Sequence, residues 1–145
     1  MENAKVILLT VIGGIGGFVS ALFGGWSAAL TTLVIFMAAD YFSGLAVAGI
    51  FKKSTKSKTG ALESKAGWIG LFRKGMTLLI VLIAYRLDLA VGTTFIKDAV
   101  IIAYIANEAI SITENAGLMG VPIPKPILRA IDILKQKSEE EEINE

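Results

Sequence analysis

The sequence predicts an all-α integral membrane protein with about four transmembrane helices. Apolar residues make up 54% of the 145 residues and charged residues only 19%, against about 25% charged in soluble domains. The apolar residues are also gathered into runs near the roughly 20 residues that a helix needs to cross a bilayer. No run alternates like a membrane β-strand, so helices are the structure that pairs every backbone group inside lipid.

The first two spans are predicted in the N-terminal third. Residues 6–25 carry no charge, and residues 26–51 are interrupted only by Asp40. Gly24-Gly25 between them predicts a tight hairpin near one membrane surface, with Trp26 at the interface. Because the first run leads directly into the second, we expect it to be retained rather than cleaved as a signal peptide.

A basic loop is predicted over residues 52–74, where seven Lys/Arg accompany the single Glu63. The second half of the loop has apolar side chains at helical spacing, which is typical of a helix lying in the membrane interface. We expect the basic side chains of the loop to lie near lipid phosphates and to set the topology: Lys52, Lys53, Lys56, Lys58, Lys65, Arg73 and Lys74.

The third span is predicted over residues 75–96 and carries Arg86 and Asp88 toward its far end, where we expect them at the outer interface. A turn at Lys97-Asp98 separates it from a fourth, less hydrophobic segment over residues 99–121.

Three prolines end the fourth segment, because proline lacks the N–H that a helix needs: Pro122, Pro124 and Pro126. Beyond them we expect a short amphipathic helix over residues 127–137 and a solvated, disordered tail over residues 138–145, which holds five glutamates.

The basic loop also fixes an expected topology, since Lys/Arg-rich loops stay in the cytoplasm. Four spans then place both termini in the cytoplasm and divide the chain into a membrane domain, residues 1–128, and a charged cytoplasmic tail, residues 129–145. In an alternative, the fourth segment lies in the interface, only three spans cross, and one terminus is outside.

Small residues form one side of the first span at four-residue spacing: Gly13, Gly17, Ala21 and Gly25. Such faces let helices approach closely in lipid. Two interpretations stay open, packing against the second span or self-association between copies of the chain.

Polar residues inside the second and fourth segments are the candidate functional positions. Asp40 lies near the middle of the second span, with Ser43 and Gly44 on its face, and an intramembrane carboxylate needs a partner or water. The fourth segment carries a polar stripe opposite its apolar side: Tyr104, Asn107, Glu108, Ser111, Glu114 and Asn115. We expect these residues to line a pore, to form an oligomer contact, or to face the headgroup layer.

The residue types argue against an enzyme. The chain has no Cys and no His, which removes thiol nucleophiles, imidazole bases and the common zinc ligands. Its glycines cluster inside an apolar helix rather than in a phosphate-binding loop. We therefore expect no catalytic site, no metal, no cofactor and no nucleic-acid partner.

Three segments resemble the phage holin family that includes the clostridial toxin-secretion holins. They are residues 40–45 (DYFSGL), residues 64–68 (SKAGW) with 73–75 (RKG), and residues 104–115 (YIANEAISITEN) followed by Gly117 and residues 120–124 (GVPIP). The resemblance covers roughly residues 38–128.

The resemblance implies a multi-pass protein of the host bacterial inner membrane, with other copies of itself and membrane lipids as its partners. Such proteins oligomerise and open lesions that release an endolysin, or a toxin, and so time host lysis. The released protein does not have to contact the holin directly. The residues alone leave two other functions open, a small solute-selective channel or transporter and a membrane adaptor protein.

Overall fold

A computed structural model describes residues 1–143, and within that range the chain is all-helical. The elements are α1 (Glu2–Leu22), α2 (Ala28–Ala46) continued by a π-helical turn (Val47–Phe51), α3 (Ser64–Val91), α4 (Ile96–Leu118) and α5 (Lys125–Ile143). Three described helices are long and apolar enough to cross a membrane: Glu2–Leu22, Ala28–Phe51 and Ser64–Val91. The predicted all-α membrane fold is confirmed.

Helix α4 is the centre of the bundle, because it packs on α2, α3 and α5. The apolar core between these helices consists of Phe23, Leu30, Leu33, Met37, Val81, Ile101 and Ile105. Leu134 of α5 packs on the edge of this core. In contrast, α1 has no buried residue and makes no extended contact with another helix.

The turn between α1 and α2 is where the glycine pair predicts it. Gly24 and Gly25 both have positive φ, +71° and +96°, and the Gly25 N–H donates to the Ser20 carbonyl at 2.9 Å. Ser27 then caps α2, its hydroxyl accepting from the Leu30 N–H at 3.1 Å. Helices α1 and α2 nevertheless do not pack against each other along their lengths. The turn of the predicted hairpin is therefore present, but the helix pairing is not.

The prediction of a basic loop reaching Lys74 is wrong, because the loop ends at Glu63 and α3 begins at Ser64. The segment expected to be an interfacial helix and the third apolar run form one helix of 28 residues, about 42 Å long. That length exceeds the hydrocarbon thickness of about 30 Å. The helix continues through Lys65 and Arg73 because both side chains are exposed and cost no charge burial.

The predicted boundaries at the C-terminal end also shift. The turn between α3 and α4 lies at Gly92, with φ of +80°, and Lys97 already belongs to α4. Helix α5 starts directly after Pro124 and continues to Ile143, so the tail predicted as disordered is helical over residues 138–143. Asn144 and Glu145, the end of that predicted tail, lie outside the described residues.

Candidate functional site

Three charged side chains meet inside the bundle, one from each of α2, α3 and α4. The Lys74 ammonium lies 2.8 Å from Asp40 Oδ2 and 2.6 Å from Glu108 Oε2. These three residues, named the ion triad below, are largely excluded from solvent, with side-chain exposures of 14% for Lys74, 7% for Asp40 and 10% for Glu108. Their formal charges sum to −1, so Lys74 is the counter-ion for two carboxylates.

Neutral side chains complete the coordination of Asp40. The Ser111 hydroxyl donates to Asp40 Oδ1 at 2.5 Å, and the Asn115 amide donates to the same oxygen at 3.1 Å. The Asn115 amide also donates to the Ser43 hydroxyl at 2.9 Å. Every carboxylate oxygen of Asp40 therefore has a donor, as a charge held in a low-dielectric interior requires.

The depth of the triad follows from its position along each helix. Asp40 is twelve residues from Ala28, and Lys74 is fourteen residues from Asp88. At about 1.5 Å rise per residue, Asp40 lies about 18 Å from the outer end of α2, and Lys74 lies about 21 Å from Asp88 and about 26 Å from the outer end of α3 at Val91. The apolar core fills the space between the triad and that end of the bundle, so apolar side chains surround the triad on this side and an unpaired charge there would be costly.

Lys74 corrects a prediction from the sequence. We expected it on the basic loop, facing lipid headgroups, but it belongs to α3 and its side chain is inside the bundle. The reason is its two carboxylate partners, each 34 residues away along the chain. A signal was present in the sequence, because two carboxylates in membrane segments need a cation and Lys74 borders the third apolar run.

The polar stripe of α4 is divided between the inside and the outside of the bundle. Glu108 and Asn115 are buried and Ser111 is partly buried, and all three join the network around Asp40. Asn107 and Glu114 are exposed, and Tyr104 is partly buried against the apolar core. Gly44 of α2 lies at the same helix contact, where a Cβ would be 3.8 Å from the Asn115 amide nitrogen.

The separation of the apolar side of α4 from its polar stripe predicts that the apolar side faces away from the polar network. In the structure it does not face away. Ile105, Ala106 and Ala109 are buried together with Glu108. The buried face of α4 thus takes in both its apolar side and one edge of the polar stripe.

The glycine face of α1 is open. A Cβ added at Gly13, Gly17 or Gly25 would meet nothing within 4 Å, and Ala21 is exposed. Within residues 1–143 of one chain, this face therefore has no helix packed against it.

A second polar site joins α3 to α4 at the other end of the bundle. Asp88, only 4% exposed, accepts from the Ile96 and Lys97 N–H groups at 3.0 and 2.8 Å and from the Thr93 hydroxyl at 2.7 Å. It supplies acceptors to N–H groups that the first turn of α4 leaves unpaired. Sequence reasoning placed Asp88 at the outer interface without this role.

Lys97 links the same end to the α1–α2 turn. Its ammonium donates to the Phe23 carbonyl at 3.0 Å and lies 5.2 Å from the centre of the Tyr85 ring.

A cavity of about 730 Å³ opens beside the triad, between α2, α3 and the loop. Its lining includes Asp40, Lys74, Asn107 and Glu108. The remaining basic residues of the predicted loop are exposed: Lys52, Lys53, Lys56, Lys58, Lys65 and Arg73.

Comparison with known proteins identifies the family to which the chain is related. Residues 17–136 match the model of the bacteriophage holin family. An uncharacterized protein of Listeria monocytogenes is 40% identical over 139 residues, covering 95% of this chain and 94% of that protein. An uncharacterized protein of Halalkalibacterium halodurans is 42% identical over 123 residues, covering 81% of this chain and 85% of the relative.

A phage protein is among the relatives. The probable holin of Bacillus phage phi105 is 30% identical over 112 residues, which cover 77% of each chain. No solved structure matches the chain. With membrane-spanning helices around a buried ion triad, and a family match over most of its length, the chain belongs to the bacteriophage holin family.

Proposed function

We propose that the chain is a holin that oligomerises in the bacterial inner membrane and opens lesions through which an endolysin, or a toxin, leaves the cytoplasm. Family membership supports the class of function. The observation that carries the mechanism is the ion triad, because charges in the middle of a membrane bundle have either protein partners or water around them. In this chain the charged groups are partners of one another within a single chain. We therefore interpret the structure as a closed state, in which no water-filled lesion is present.

The closed state differs from the one that the sequence suggested. The sequence predicted that the stripe lines a pore, forms an oligomer contact or faces the headgroup layer, whereas α2 and α3 of the same chain already cover Glu108, Ser111 and Asn115. A single chain is therefore insertable without a lesion. Opening requires α4 to separate from α2 and α3, so that the triad and its neighbours become wet.

Oligomer contacts are proposed on the surfaces that the single chain leaves uncovered. The glycine face of α1 has no neighbour, and close packing between such faces is favourable in lipid. Asn107 and Glu114 form the exposed part of the stripe, where they contact another copy or line the lesion. The lesion is a structural opening without turnover or cofactor.

The proposed topology counts α4, which packs against α2 and α3, as a fourth crossing beside the three candidate spans. It therefore places both termini and the basic loop in the cytoplasm. The loop, Lys52–Glu63, joins the inner ends of α2 and α3, and its lysines favour the cytoplasmic side. Helix α5, in the proposed cytoplasmic tail, has mostly basic charges in its first part and a run of glutamates toward its end, and it is less apolar than the three candidate spans.

The test is release of two cargoes from vesicles that contain the purified chain, one a small dye and the other a folded protein of endolysin size. We expect both to escape from wild-type vesicles and neither from vesicles with N107L or E114L. T113L is the matched control, since Thr113 lies about 100–120° around α4 from Glu114 and Asn107 and its hydroxyl bonds within the helix.

The alternatives give different results. Escape of the dye with retention of the protein would favour a solute channel over a lesion. Retention of both cargoes by correctly inserted wild-type protein would favour an adaptor.

A further inference from the structure

The cavity between α2, α3 and the loop has no role in the function proposed above. Its volume of about 730 Å³ is within the range of small-molecule sites, about 300–1,000 Å³. One end is formed by the ion triad, whose cation already has two partners. The other end is formed by the loop, so an incoming group would meet the loop side chains first.

The lining is amphipathic. Lys56 and Ser57 from the loop and Arg73 from α3 provide cationic and hydroxyl groups. Leu45 of α2 and Ile69 and Ile80 of α3 provide an apolar wall. A ligand that fits both parts has a polar, charged head and a hydrocarbon portion.

The charge of that head follows from the ion pairs. Lys56 and Arg73 form no ion pair with any described residue, whereas Lys74 forms two. Glu63 also lines the cavity and accepts a hydrogen bond from the Thr59 hydroxyl at 3.3 Å. Two cations without an ion pair thus accompany one carboxylate at this end, and one of them, Lys56, is close enough for its charge also to act on Asp40. The surrounding segment, residues 52–74, is strongly basic. The cavity mouth favours an anion.

The position of the cavity relative to the bilayer indicates the source of the anion. Trp68 and Phe72 are 61% and 74% exposed on α3, and Trp side chains prefer the membrane interface. Basic pockets between membrane helices at the cytoplasmic surface bind anionic lipid headgroups. We propose that this cavity binds an anionic phospholipid, with its phosphate at Lys56 and Arg73 and an acyl chain along Leu45 and Ile69.

The test measures binding to the detergent-solubilised full-length chain by native mass spectrometry. Three probes separate the possible sources of the phosphate: inorganic phosphate, glycerol phosphate, and short-chain dihexanoyl phosphatidylglycerol. The variant is K56Q/R73Q, and the matched control is K52Q/K53Q, which removes the same charge from exposed residues outside the cavity lining.

We expect one phosphatidylglycerol per wild-type chain and an affinity about thirtyfold lower in K56Q/R73Q, the loss for two basic contacts near a membrane surface. The control should bind as the wild type does. Equal affinity in the two double variants would overturn the proposal, because it would reduce binding to general attraction by the basic loop. Equal affinity for phosphatidylglycerol and inorganic phosphate would overturn the lipid assignment in favour of a free-anion site.

These readings do not depend on cargo release. Lipid binding without cargo release would support this proposal and contradict the proposed function. Cargo release without lipid binding would support the proposed function and contradict this proposal.

Discussion

Replacing Lys74 with Met removes the cation shared by two buried carboxylates while keeping a side chain of similar length. In the wild type, Lys74 Nζ is 2.8 Å from Asp40 Oδ2 and 2.6 Å from Glu108 Oε2. Removing it changes the formal charge of the triad from −1 to −2, with no cation in contact. Loss of one partner from a buried ion pair costs about 3–5 kcal/mol, so we expect K74M to lower the free energy of unfolding by about that amount.

The other single variants should cost much less. E108Q leaves a neutral Asp40–Lys74 pair, and D40N leaves the Glu108–Lys74 pair with an amide oxygen still able to accept from Ser111. The triple variant D40N/K74M/E108Q leaves no unpaired charge and should recover most of the stability, because replacing a whole buried ion cluster is far milder than breaking it.

The assay is reversible unfolding in mixed micelles of increasing SDS content, followed by far-ultraviolet circular dichroism. K65M is the matched control, since Lys65 is exposed on the same helix and forms no ion pair with a described residue. Unfolding of K74M at the same SDS content as K65M would refute a stabilising triad. So would a triple variant as unstable as K74M, because it would assign the loss to packing rather than to unpaired charge.

Three further perturbations test other parts of the structure. G24A should destabilise the chain by about 1–3 kcal/mol, because Gly24 has φ of +71° and an added Cβ would clash with the Tyr85 ring. Its control is G25A, where φ is also positive but the space is open, so the loss of stability should be smaller. Thermal unfolding of both variants in detergent measures the difference. D88A should lower the free energy of unfolding by about 2–3 kcal/mol, because it removes three hydrogen bonds around a buried carboxylate, and amide hydrogen exchange at the start of α4 should become faster. D98A is the control, since Asp98 is exposed in the first turn of α4, and it should leave this exchange unchanged. Replacing Gly13 and Gly17 together by Ile should reduce crosslinked oligomers in membranes without altering the stability of the solubilised chain, since a Cβ at either position would meet nothing within 4 Å. Unchanged crosslinking would exclude this face as the contact.

The membrane helices could be predicted from the sequence because they depend on local properties. The apolar runs gave the approximate positions of α1, α2 and α3, and Gly24-Gly25 gave the first turn. The second half of the predicted loop was expected to be a separate interfacial helix. Its continuity with the third apolar run was missed because Arg73 and Lys74 interrupt the hydropathy pattern at the point where the two parts join. The run of C-terminal glutamates similarly concealed the continuation of α5 to Ile143.

The candidate site was predictable only in part. Asp40, Ser43, Glu108, Ser111 and Asn115 were selected because polar groups in membrane segments need partners, and the structure brings these five together. Their shared cation was assigned to the wrong environment, because the pairings of Lys74 join residues 34 positions apart. Which edge of the α4 stripe is buried depends on the arrangement of α2 and α3 around it, which helical periodicity does not specify.

The most direct measurement is the turbidity of a bacterial culture after induction of the chain, with and without a cytoplasmic endolysin that has no export signal of its own. We expect abrupt lysis only when both proteins are present, and earlier lysis with K74M than with K65M, because loss of the triad cation favours the open state. Continued growth of cells that contain both wild-type proteins, with the endolysin active in lysates and the chain inserted in the membrane, would contradict the proposed lesion.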